Sequence, residues 1–178
     1  MNAIKRILVI STISILTTFL AKAAIGPVGE VFILGGDLVG HQTNPEVAFN
    51  STGGFAVWEH VSENSNGARV LLQPLNVLME QNGGPIRVSE STARDDESRP
   101  HIAVLPRGGA VVVWESGPRK SRNVMVRFLN KNGSPTGATQ MVNSFTRGNQ
   151  DRPSVAVNHK GEVCVTWESQ RQDGGGDG

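Results

Sequence analysis

Apolar positions in this chain fall in short runs broken by Gly, Pro, Asn and Ser, and the runs recur. The clearest are Gly53-Gly54-Phe55-Ala56-Val57-Trp58-Glu59-His60, Gly108-Gly109-Ala110-Val111-Val112-Val113-Trp114-Glu115-Ser116 and Gly161-Glu162-Val163-Cys164-Val165-Thr166-Trp167-Glu168-Ser169. Their tryptophans, Trp58, Trp114 and Trp167, stand 56 and 53 residues apart. Upstream of each lies a second matching piece: Pro45-Glu46-Val47-Ala48-Phe49, Pro100-His101-Ile102-Ala103-Val104 and Pro153-Ser154-Val155-Ala156-Val157. Several pieces in one order, three times over, mark an internal repeat.

Each unit reads as four short strands, and no helical period is visible beyond the N-terminal segment. The first strand is expected to start at the Pro, which cannot donate to a ladder. A glycine turn then reverses the chain into the Trp strand. That strand is almost continuously apolar, so both of its faces are expected to be buried. The third strand covers residues 70–73 and 124–128, and the fourth covers 86–89 and 139–143 after a Gly-Pro-type turn. Residues 30–34 keep the register of a fourth strand, so the strand count is one, four, four and two.

The expected fold is therefore all-β, built of four-stranded units of about 53–56 residues. Such units, at such a period, form propeller blades, which bury their faces only against neighbouring blades. The array is incomplete: a partial unit at 26–44, complete units at 45–99 and 100–152, and a partial unit at 153–178. A truncated piece of a longer array accounts for this more simply than several copies sharing one ring.

Residues 1–23 stand apart. Lys5 and Arg6 precede an apolar run over 7–20, and Ala21-Lys22-Ala23 closes it in a small-x-small pattern. These are the three regions of a secretory signal, and the run is short for a membrane span. The mature region is then 24–178, expected to be secreted or at the cell surface, with no membrane insertion after the signal is removed. Its removal takes away three basic groups and no acidic one, so a net charge of +1 becomes −2. That balance gives nucleic acid no electrostatic footprint. Cys164 is the single cysteine, which excludes an intrachain disulfide.

The pattern Pro-x-Val-Ala, Gly-Gly-x-x-Val-x-Trp-Glu-Ser and Asn-x-x-Gly-x-Pro-x-Gly resembles the Trp-containing tandem β-repeats of large secreted or surface proteins of bacteria, often calcium-binding or adhesin-like. The resemblance spans roughly residues 26–178, and residues 168–175 resemble the loop that follows the Trp strand in those repeats. It implies a propeller-like fold and an extracellular binding or structural role, with an extracellular protein or a glycan as partner. The loops at 61–67 and 117–122 lack the family's Asp-Gly run. Self-association to complete the array is a further expected partnership.

Candidate chemistry is sparse. Glu59, Glu115 and Glu168 recur at one position per unit, whereas a catalytic pair is a single asymmetric constellation, so a structural role is expected. A sialidase-like site is incomplete, because the chain has no tyrosine and no Ser-x-Asp-x-Gly-x-x-Trp turn. The class-different alternative is a fragment of a propeller-type glycan-active hydrolase whose catalytic residues lie outside this chain. Calcium is the one cofactor weighed, at Asp95-Asp96-Glu97 and at Asp173 with Asp177; a solvated turn and a tail are the preferred readings. Cys164 aligns with Phe55 and Val111 and is expected to be a buried, inert thiol. The four histidines show no zinc-ligand spacing, and the tryptophans are expected to be core rather than a sugar-stacking platform.

Overall fold

The computed structural model describes residues 6–7, 31–65, 67–90 and 96–172. Among them every element is a strand and every pairing is antiparallel. Strands β1 (Arg6–Ile7) and β2 (Phe32–Ile33) form a short two-stranded pair. The rest of the expected secretory signal lies outside the described residues. The first sheet is a meander of β3 (His41–Asn50), β4 (Gly53–Val61), β5 (Arg69–Leu75) and β6 (Ile86–Arg87). The second repeats that order with β7 (Glu97–Val104), β8 (Ala110–Ser116), β9 (Asn123–Leu129) and β10 (Gln140–Met141). The third is the pair β11 (Gln150–Val157) and β12 (Val163–Ser169). The chain is all-β, with the matching sequence pieces on matching strands.

One expectation is corrected. The prolines do not start their strands; β3, β7 and β11 begin upstream of Pro45, Pro100 and Pro153. Each ladder instead skips at the Pro, between Thr43 and Glu46, Ser98 and His101, and Asp151 and Ser154. A bulge leaves a residue out of the ladder, so the missing proline N–H costs no hydrogen bond. Asn44, Arg99 and Arg152, just before each Pro, have φ of 48°, 48° and 50°. Non-glycine residues seldom adopt that conformation, and surrounding contacts must hold it.

The core lies between the first and second sheets. Phe55, Val57, Val70, Leu72 and Val88 meet Ile102, Ala110, Val112, Trp114 and Leu129. Burying a Val or Leu side chain fully is worth about 1.5–3 kcal/mol, so this seam is the main apolar contribution to stability. β4 and β8 are buried on both faces, as their continuous apolar runs predict. β12 is not: it alternates between half-buried and exposed, and among the described residues no further sheet covers its outer face. Leu34 packs on Ala56 and Leu75 in a smaller cluster.

Turn glycines set how closely the strands can approach. A Cβ on Gly109 would lie 2.3 Å from the Leu129 carbonyl oxygen, at a φ of 85°. Gly53 stands in the same relation to Leu75. Gly109→Ala is therefore expected to destabilise by more than about 1 kcal/mol. Urea unfolding would read this as a lower midpoint with an unchanged slope.

Candidate functional site

The glutamates that follow each Trp organise the seams between sheets. Glu59 accepts hydrogen bonds from Thr43 Oγ1 (2.9 Å) and Asn44 Nδ2 (2.6 Å) in its own sheet's bulge. It also accepts the Arg99 N–H of the next sheet at 2.5 Å. Glu115 repeats the arrangement one sheet on. It accepts from Ser98 Oγ and Arg99 Nη1, both at 3.1 Å, from Arg122 Nη1 at 2.6 Å, and from the Arg152 N–H at 2.7 Å. Each carboxylate thus holds a left-handed bulge residue on both sides of a seam. Glu168 meets the Arg152 guanidinium of its own sheet at 3.0 and 3.2 Å.

Glu115 is fully buried. Burial alone would raise its pKa, but the hydrogen bonds from the Arg152 N–H and Arg122, and the charge of Arg99, outweigh that and hold it below the ordinary glutamate value. Asp151, beside it, is pushed up by burial and by the Glu115 charge. Glu115 is therefore an ionised anchor rather than a proton donor at neutral pH.

The same bulges frame a cleft of about 420 Å³, lined by Asn44, Pro45, Glu46, Arg99, Pro100, His101 and Arg152. These residues belong to β3, β7 and β11, the first strands of the three sheets, which run side by side. His101 Nδ1 sits 2.9 Å from Glu46 Oε1, and Glu46 Oε2 accepts the Ile102 N–H at 3.4 Å. The Arg99 and Arg152 guanidiniums keep free N–H groups toward solvent, being 47% and 64% exposed. The cleft therefore offers donors, acceptors and two proline rings on one wall set.

Of the sequence-derived metal candidates, Asp95, Asp173 and Asp177 lie outside the described residues. Asp96 and Glu97 serve the seam. Asp96 Oδ1 accepts the Ala68 N–H at 3.2 Å, and its other oxygen pairs with Arg122 at 3.3 Å. Glu97 is buried, with Oε2 3.3 Å from the Val70 N–H it accepts, and its own N–H donates to the Ala68 carbonyl at 3.2 Å. Asn149 and Gln150 repeat this on Arg122, through Asn149 Oδ1 and the Gln150 N–H. Among the described residues no three His, Cys, Asp or Glu side chains are grouped to hold a metal ion.

Trp58 and Trp114 are buried core residues, whereas Trp167 is half-buried and donates its indole N–H to Gln150 Oε1 at 3.2 Å. Cys164 corrects the expectation of a buried thiol: it is exposed. Its alignment with Phe55 and Val111 holds, but those two are covered by the next sheet and Cys164 faces solvent on β12. Sequence reasoning missed the arginines, His101 and the bulge. The available signal was Asn-Pro, Arg-Pro and Arg-Pro at one repeat position, since a residue before Pro is already restricted in its backbone.

No protein-family model matches the chain, and no curated protein does. Among solved structures it is similar to an alpha-L-arabinofuranosidase from Lactobacillus brevis. The TM-score is 0.55 at 11% identity, covering 86% of this chain and 52% of that one. The likeness is one of fold. The chain spans about half the length of that enzyme.

Proposed function

We propose that this chain is a glycan-binding module, secreted or held at the cell surface, whose sheets form part of a propeller-like array. The cleft at the bulges carries the reading. It draws Asn44, Arg99 and Arg152 from one equivalent position on three sheets, and adds His101 with Glu46. Sugar rings present hydroxyls that both donate and accept, and apolar C–H faces that lie on flat surfaces such as proline rings; a few placed polar groups then fix orientation. Face-to-face meander sheets with their first strands side by side support the propeller-like arrangement, in which those strands stand nearest the axis. Export rests on the N-terminal pattern of charge, apolar run and small residues.

The fold likeness to an arabinofuranosidase favours a second reading, a portion of a glycan-active hydrolase whose catalytic carboxylates lie outside this chain. A glycosidase sets two carboxyl groups roughly 5–10 Å apart across its substrate. Glu59 and Glu115 are instead taken up by the seams between sheets.

Calorimetric titration with arabino-oligosaccharides as the probe, beside an assay with an aryl α-L-arabinofuranoside, separates the two. The binding reading expects heat of binding and no turnover. Arg152→Ala and His101→Ala are expected to weaken binding by about tenfold or more with unchanged melting. No binding, or binding indifferent to both substitutions, overturns this reading; turnover establishes the second.

A further inference from the structure

The two seams within the chain are built alike. Glu59 and Glu115 each accept the N–H of a pre-proline residue in the following sheet. Four residues before each Glu, Phe55 and Val111 are buried, at 3% and 0% exposure. Among the described residues, one copy of each half of this contact is unmatched. On β12, Glu168, Thr166 and Cys164 occupy the positions of Glu115, Val113 and Val111, and all three are exposed. On β3, Asn44 and Pro45 are exposed and Val47 is 57% exposed. The equivalents of Pro45 and Val47 in the second sheet, Pro100 and Ile102, are buried, while Arg99, the equivalent of Asn44, is exposed.

We infer that the β12 face of one copy docks on the β3 face of a second copy, head to tail, with Glu168 accepting the Asn44 N–H. Asn44 already has the left-handed backbone, φ 48°, that aims the Arg99 and Arg152 N–H groups at their carboxylates. Among the described residues no carboxylate accepts its N–H. The outer part of the first sheet's face holds Leu34 against Ala56 and Leu75, so the bare part is the β3 side, which a two-stranded sheet would cover. The β12 face is small and polar around one carboxylate, and the β3 face offers the matching donor beside Pro45 and Val47. Since the two faces differ, the contact is heterologous and adds copies in one direction. The docked face shares Asn44 and Pro45 with the cleft, whereas Arg99, His101 and Arg152 of the cleft stand on the other two sheets.

The test uses the full chain, with molar mass followed by light scattering as concentration rises and Cys164 labelled by a maleimide in parallel. Mass is expected to rise in whole multiples while Cys164 becomes protected. Glu168→Lys removes the tail half and Val47→Asp the head half; each is expected to give a monomer with parental circular dichroism. Mixing the two variants is expected to restore a dimer and stop there, because each retains the half the other lacks. A monomer at every concentration with Cys164 fully reactive overturns the inference. So does an oligomer that neither substitution disturbs, or a mixture of the variants that stays monomeric.

Discussion

Replacing Glu115 with alanine is expected to cost about 3–5 kcal/mol, the range for breaking a buried ion pair from one side. The carboxylate is buried and meets Arg122, whose side chain is only 14% exposed, at 2.6 Å. Without it Arg122 keeps only Asp96 as an ion-pair partner beside the Ser98 hydroxyl, Arg99 loses its ion-pair partner, and the Arg152 N–H loses the acceptor that holds its left-handed backbone. The same substitution should cost less at Glu59, about 1–3 kcal/mol, because its partners there are neutral donors. At Glu168, exposed and paired to an exposed Arg152, melting of the monomer should be unchanged. Chemical denaturation of the three variants checks the order. The folded-state pKa of Glu115 lies below its unfolded value, so its stabilisation is full above the unfolded pKa and is lost as pH falls through the folded one. Parental stability should therefore fall on acidification in that window, and Glu115→Gln should fall less. Equal costs at all three glutamates would refute the seam account.

Trp114→Ala is expected to cost about 3–5 kcal/mol, as deleting a large buried side chain does. It belongs to the core cluster that includes Phe55, Val57, Leu72 and Val112. Trp114→Phe should recover most of that loss, since the indole N–H is buried without a hydrogen-bond partner and removing it strands nothing. Trp167→Ala, at the same motif position, should cost far less, because its ring is half-buried. Acrylamide quenching gives an independent check: single-Trp variants should show Trp167 accessible and Trp58 and Trp114 shielded. A Trp167 shielded as fully as Trp114 in the monomer would contradict the open third sheet.

These contrasts show where a repeated sequence stops being a repeated environment. The period of 53–56 residues, the glycine turns and the Val-rich Trp strands sufficed to predict all-β meander units. Strand formation there depends on local patterning: β-branched runs favour a pleated, buried surface, and Gly takes the backbone that the turn requires. The structural role of Glu59 and Glu115 was legible from their recurrence, although not its mechanism.

Burial and partnership were decided in three dimensions. Phe55, Val111 and Cys164 are one position in the sequence, yet the first two lie under a neighbouring sheet and the third faces solvent. Asp96 and Glu97 read as a solvated acidic turn, and the fold hands both to the backbone of the preceding sheet. Arg99, His101 and Arg152 carry no local signal for a cleft; three first strands lying side by side bring them together. Local sequence determines strands because their backbone preferences and turn chemistry act over a few residues. Which face is covered, and which charges meet, depends on contacts between residues some 40 positions apart, such as Glu59 with Arg99, and only the stacking of sheets brings those into reach.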